Sequence, residues 1–181
     1  SSRNAYRPLP RAFYDQDAPA LARALLGRVL VHQHPEGTTA GLIVETEAYA
    51  QNDPASHSFP GPTRRNGVMF GPAGFLYVYR SYGIHWCANV VAGPDSFGSA
   101  VLLRALAPER GEELMRRRRG AAPDARAIDL ARGPGRLSQA MGIDLELYGA
   151  DLTQRPFFVA EPNDFRPPET RVTPRIGISK A

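Results

Sequence analysis

Residues 74–89, GFLYVYRSYGIHWCAN, read as two β-strands joined by a tight turn. Leu76, Val78 and Arg80 fall on one face and Phe75, Tyr77 and Tyr79 on the other, and the alternation resumes through His85, Cys87 and Asn89. Ser81-Tyr82-Gly83 forms the turn, with Gly83 supplying the positive φ that a hairpin needs. A large aromatic, Tyr82, therefore sits at the tip of a protrusion. Either it folds back on a neighbouring loop, or it stacks on or wedges into a partner, and nucleic-acid bases offer the matching surface.

Upstream, residues 39–49 carry GLIVETEAY, a long strand whose alternation puts Glu45, Glu47 and Tyr49 on one face and Leu42, Val44 and Thr46 on the other. Carboxylates at the end of an apolar strand are either working or paired with an arginine. A strand at residues 28–32 and a turn at 34–38 precede it, so His32 and His34 are expected to be exposed hairpin residues. Asp17-Ala18-Pro19 opens a short helix with an Asp cap, a Pro in the first turn and Leu21, Ala24 and Leu25 on one stripe. Residues 1–16 read as an irregular leading segment. Between the two hairpins, Asn52-Asp53-Pro54 caps a single helical turn bearing His57, a structural or a catalytic histidine. A Pro- and Gly-rich loop at 59–67 follows, with Arg64 and Arg65.

Downstream, residues 100–106 form a buried strand with one charge, Arg104, which needs a carboxylate, a phosphate or an edge. Residues 108–119 read as a helix whose last turn is Arg116-Arg117-Arg118-Arg119, either a phosphate-binding run or a solvated end that complements the helix dipole. Arg132-Gly133-Pro134-Gly135-Arg136 feeds a second short helix at 137–141, a ready anion site without the spacing of a nucleotide-triphosphate loop. Residues 157–160 and 171–178 read as closing strands.

Composition agrees with one soluble domain. The chain has 181 residues, 43% hydrophobic and 22% charged, with Gly and Pro at 17 each, which disfavours a helical bundle. No membrane span or signal peptide is expected. A net charge of +4, carried almost entirely by arginine, suits a polyanionic partner. The lone Cys87 excludes an internal disulfide and fits a reducing compartment.

Read together, ETEAY, the His57 turn, LYVYRSYG, the Asn89 strand, VLLRAL and RGPGRLSQA resemble the alkyladenine (3-methyladenine) DNA glycosylase family over residues 21–178. The resemblance implies a compact α/β domain of the α+β type across 1–181, with a mostly antiparallel, curved sheet, short surrounding helices and a protruding hairpin, like a formyltransferase C-terminal domain. It implies a monomeric, monofunctional enzyme of base excision repair that acts on double-stranded DNA containing damaged purines, with a catalytic water and no cofactor or metal. Residue by residue it implies Glu47 as general base and Tyr82 as the intercalating wedge. Tyr49, His57 and Tyr79 would contact the flipped base, Asn89 would exclude the amino group of normal guanine, and Arg104 would stand at the pocket mouth. Met69, Arg64, Arg65, Gly133 and Arg136 would contact DNA. The expected location is the cytoplasm, with the nucleoid, in a bacterium, or the nucleus in a eukaryote. Two features depart from the family: His85 stands where a tyrosine or phenylalanine is expected, and RIGISKA ends where members usually continue.

Chemistry supports the monofunctional reading independently. Bifunctional glycosylases attack with an amine to form a Schiff base, and the only lysine, Lys180, is remote in sequence from every motif. A carbohydrate hydrolase using Glu45 and Glu47 fails on geometry: same-face neighbours lie roughly 6.5–7 Å apart and point in parallel, whereas paired acids in such enzymes flank their substrate. A non-catalytic lesion-binding or architectural protein is the remaining alternative.

Overall fold

A computed structural model describes residues 6–49, 67–94, 98–172 and 176–178. In chain order the elements are α1 (Arg11–Tyr14), α2 (Ala18–Leu25), β1 (Val29–His34), β2 (Gly37–Tyr49), β3 (Leu76–Ser81), β4 (His85–Val91), β5 (Ala100–Arg110), α3 (Glu112–Arg119), α4 (Pro134–Met141), β6 (Phe157–Ala160), β7 (Thr170–Val172) and β8 (Ile176–Ile178). The strands form one curled antiparallel sheet in the order β3-β4-β5-β2-β1-β6, with β7 and β8 attached beside β2. This is a small α+β domain.

The register explains how the sheet divides its two faces. Directly opposed residues of antiparallel strands share a face, so each pairing propagates a side-chain direction across the sheet. Leu76 lies opposite Val90, Val90 opposite Val101, and Val101 opposite Ala48. That row points into the main core, where Leu21, Leu25, Leu103, Leu137 and Met141 join it. Thr46 lies on the same side and donates its hydroxyl proton to the carbonyl of Ala22 in α2 at 2.9 Å. The Asp17 carboxylate accepts from the Ala20 amide at 2.9 Å, as a cap should.

Several boundaries differ from the sequence reading. The leading segment contains the turn α1, whose Tyr14 is fully buried. β5 runs on to Arg110, so the following helix begins only at Glu112. Gly111 makes the break with φ 79°, leaving Pro108 in the strand. The last stretch forms two strands rather than one.

His32 is a clear correction. It is buried, because β1 is an interior strand between β2 and β6. Its Nδ1 lies 2.6 Å from the carbonyl oxygen of Met141 at the end of α4, where a ring N–H donates. Burial pushes its pKa down. The unfolded chain takes up this proton near the ordinary value of about 6.5, while the folded state holds the ring neutral, so stability is lost as pH falls from there towards the folded-state value. The melting temperature should drop between pH 7 and 5.5, and His32→Gln should flatten that slope, as read by thermal denaturation across the range.

Candidate active site

The opposite face of the sheet gathers the candidate site residues. Tyr77 lies opposite Asn89, Asn89 opposite Leu102, and Leu102 opposite Glu47, a row spanning four strands. Flanking it, Val91, Ala100 and Tyr49 form one row, and Tyr79 faces Cys87 in the other. Residues separated by more than fifty positions in the chain are thus brought to one surface by register alone.

Arg104 is the electrostatic centre of this surface. Its Nη1 donates to Oε1 of Glu47 at 2.7 Å and its Nε to Oε1 of Glu45 at 3.1 Å. All three side chains keep partial exposure, 15% for Arg104, 35% for Glu45 and 18% for Glu47. The arginine-paired alternative therefore holds, and both carboxylates remain partly open to solvent. The pairing of β2 with β5 slips on either side of Glu45, a bulge of the kind that re-aims side chains beside functional sites.

Aromatic rings wall the surface. Tyr77 is buried at 1% exposure, with its ring centroid 5.7 Å from Tyr79 and 5.9 Å from Tyr148. Tyr79 is hydrogen-bonded to Cys87; burial first, then that thiol and the nearby Tyr49 and Tyr77, drive its phenol pKa upward. Cys87 is likewise held as a thiol by burial, against the lowering influence of the Tyr79 bond and Arg104. Asn89 is buried, and its amide donates to the Tyr77 carbonyl at 3.3 Å, which fixes the side chain across the hairpin. Sequence reasoning missed Tyr77 and Tyr148 as wall residues. Register makes Tyr77 legible, whereas Tyr148 lies outside any periodic segment.

Met69 is 3% exposed and packs with Tyr77, Val91 and Ala100, which places it beneath the wall. His57, Arg64 and Arg65 lie outside the described residues.

The hairpin tip projects beyond this site. Tyr82 has φ 51° and Gly83 φ 66°, and the Ile84 amide donates to the Ser81 carbonyl at 3.0 Å to close the turn. Among the described residues Tyr82 is the one non-glycine with positive φ. Tyr82 is 96% exposed and Ile84 67%. The fold-back reading of Tyr82 is thereby excluded for this conformation. Next to the tip, His85 lies against Gly135, where a Cβ would sit 2.8 Å from the imidazole Cγ. A side chain at 135 would push the hairpin off α4, which accounts for this glycine by close approach rather than by φ.

The turn at residues 132–136 is tied to the site from behind. The Gly133 amide donates to the Arg104 carbonyl at 2.7 Å, and Arg132 bridges Ala105. Arg132, Arg136 and Arg119 line a cleft of about 440 Å³ with Asp129 and Leu130. The arginine run does form the last turn of α3, as its dipole reading expects, with Arg117 exposed, but its other three members are also tied to neighbouring segments. Arg116 bonds Glu112 and the Ala125 carbonyl, Arg118 the Ala140 carbonyl, and Arg119 the Leu130 carbonyl and Gln139. These arginines fasten α3 to α4 and the loop between them.

The fold and site define an α+β domain with a carboxylate–guanidinium pair under an aromatic wall and a protruding aromatic hairpin. Residues 12–181 match the family model described as methylpurine-DNA glycosylase. Relatives provisionally named 3-methyladenine DNA glycosylase are similar over most of the chain. The one from Methanoculleus marisnigri is 51% identical over 176 residues, covering 96% of this chain and 90% of its own length. That from Agrobacterium fabrum is 51% identical over 173 residues, with 96% and 83% covered. That from Rubrobacter xylanophilus is 50% identical over 158 residues, with 86% and 80% covered. The chain belongs to the methylpurine-DNA glycosylase family. No helix among the described residues is long and apolar enough to cross a membrane.

Proposed function

We propose that this protein is a monofunctional DNA glycosylase of base excision repair, working as a monomer. It flips alkylated or deaminated purines, among them 3-methyladenine, 7-methylguanine and hypoxanthine, with ethenoadenine a further candidate, out of duplex DNA. It hydrolyses the N-glycosidic bond with a water activated by Glu47 and leaves an abasic site. The observation that carries this reading is the placement of a partly open carboxylate, Glu47, in one row with Asn89 and Tyr77, in a domain that exposes Tyr82 at a hairpin tip. Family membership supports the same chemistry.

Breaking an N-glycosidic bond puts positive charge on the sugar. A carboxylate held by one guanidinium nitrogen both attracts that charge and takes a proton from water. Tyr49, Tyr79 and, from outside the described residues, His57 would stack on and contact the extrahelical base, while Asn89 would reject the guanine amino group and Arg104 would guard the mouth. Tyr82 would fill the gap in the duplex, and stacking of about 1–3 kcal/mol per base is of the size needed to offset a few kcal/mol of unstacking. Gly133 and Arg136 would receive backbone phosphates, as would Arg64 and Arg65.

The test is an excision assay on duplexes carrying an alkylated purine, hypoxanthine or only normal bases, each read with and without alkali. Abasic sites at the damaged purines, revealed as breaks only after alkali, are expected. Failure to release any damaged purine would overturn the activity, and breaks without alkali would overturn its monofunctional character. A phosphate role for Arg136 predicts that Arg136→Gln weakens binding equally on lesion and normal duplexes. It should also lower the slope of log affinity against log salt by about 1, as measured by fluorescence anisotropy.

A further inference from the structure

Two carboxylates converge on one guanidinium, and only one of them, Glu47, has a part in the proposed chemistry. Arg104 presents its Nε edge to Glu45 and its Nη1 to Glu47, one bond to each, both through an Oε1 oxygen. A guanidinium facing a single carboxylate prefers the two-pronged fork, the strongest carboxylate pairing that arginine makes. Such a fork on Glu47 would engage both of its oxygens, leaving fewer lone pairs for water and making the carboxylate a weaker base. The bulge on either side of position 45 aims this second carboxylate at Nε. Glu45 keeps 35% of its side chain exposed while Arg104 keeps only 15%, so the outer carboxylate reaches inward to a largely covered guanidinium.

We infer that Glu45 is a positioning residue acting through Arg104: by engaging Nε it prevents the fork, so that Arg104 orients Glu47 while leaving it basic and open to water. This rests on the reading of Glu47 as general base. It assigns to this chain a three-residue clamp, Glu45–Arg104–Glu47, in which the outer carboxylate controls the inner one without touching substrate.

The experiment is a double-mutant cycle on the full chain, with the single-turnover excision rate at saturating protein, the dissociation constant for lesion duplex and the melting temperature read for each variant. Glu45→Leu, which removes the acceptor for Nε, should slow excision about tenfold with affinity and melting temperature close to wild type, and Glu45→Gln, whose amide oxygen still accepts from Nε, should recover most of the rate. The double variant Glu45→Leu/Arg104→Met should lose about tenfold less than the product of the two single losses, since the group that would form the fork is gone. A Glu45→Leu variant at the wild-type rate, or losses that multiply independently, would overturn the clamp. Glu47→Gln run alongside separates the two ideas. If it is inactive while Glu45→Leu is normal, only the clamp fails; if it is fully active, the assignment of the base itself fails.

Discussion

Glu47→Gln is expected to bind lesion duplex like the wild type and to release the damaged base about 10²–10⁴ times more slowly, the range that a positioned general base contributes. The geometry favours this separation of binding from chemistry. Arg104 donates to Oε1 of Glu47 at 2.7 Å, and a glutamine carbonyl can accept the same hydrogen bond, so the wall and the clamp keep their shape. What disappears is the negative charge and the proton acceptor. Two unit charges 4 Å apart interact by about 4 kcal/mol at an effective dielectric of 20, so losing the attraction to a cationic sugar is worth about 10³ in rate, the middle of the range. Loss of the base extends it. The measurement is a single-turnover rate at saturating protein beside a dissociation constant on the same duplex. Near-normal excision would remove Glu47 from the mechanism.

The elements that strict alternation controls were legible in the sequence. The β3–β4 hairpin pairs Tyr79 with Cys87 and Tyr77 with Asn89, in agreement with the parity read from residues 74–89. Glu45 and Glu47 do share a face, and both reach Arg104. Alternation does not reveal which strands are neighbours. His32 looked like an exposed hairpin residue because β6, which covers the far side of β1, lies more than a hundred residues downstream. The arginine run shows a second limit. The i,i+4 spacing of Glu112 and Arg116 encodes their pairing, but the other partners of Arg116, Arg118 and Arg119 are carbonyls and a side chain outside α3, and no local pattern encodes those.

Tyr82→Gly should separate stability from function in opposite directions. The tyrosine is 96% exposed and holds φ at 51°, a left-handed conformation that costs a residue with a Cβ about 1–2 kcal/mol. Glycine adopts it freely, at an unfolded-state entropy cost of roughly 0.5–1 kcal/mol. Almost no buried surface is lost, so the melting temperature should stay level or rise slightly. Excision from a well-paired duplex should meanwhile fall on the order of tenfold to a hundredfold, because one stacking contact of about 1–3 kcal/mol no longer fills the gap. The loss should shrink when the lesion sits opposite a mismatched base, which is already partly unstacked and costs less to extrude. Tyr82→Phe keeps the ring and should behave like the wild type in both respects. Rates measured under single-turnover conditions on paired and mismatched duplexes provide the comparison. If Tyr82→Gly excises the paired lesion as fast as the wild type does, the exposed ring is not a wedge, and its strained backbone would need another cause.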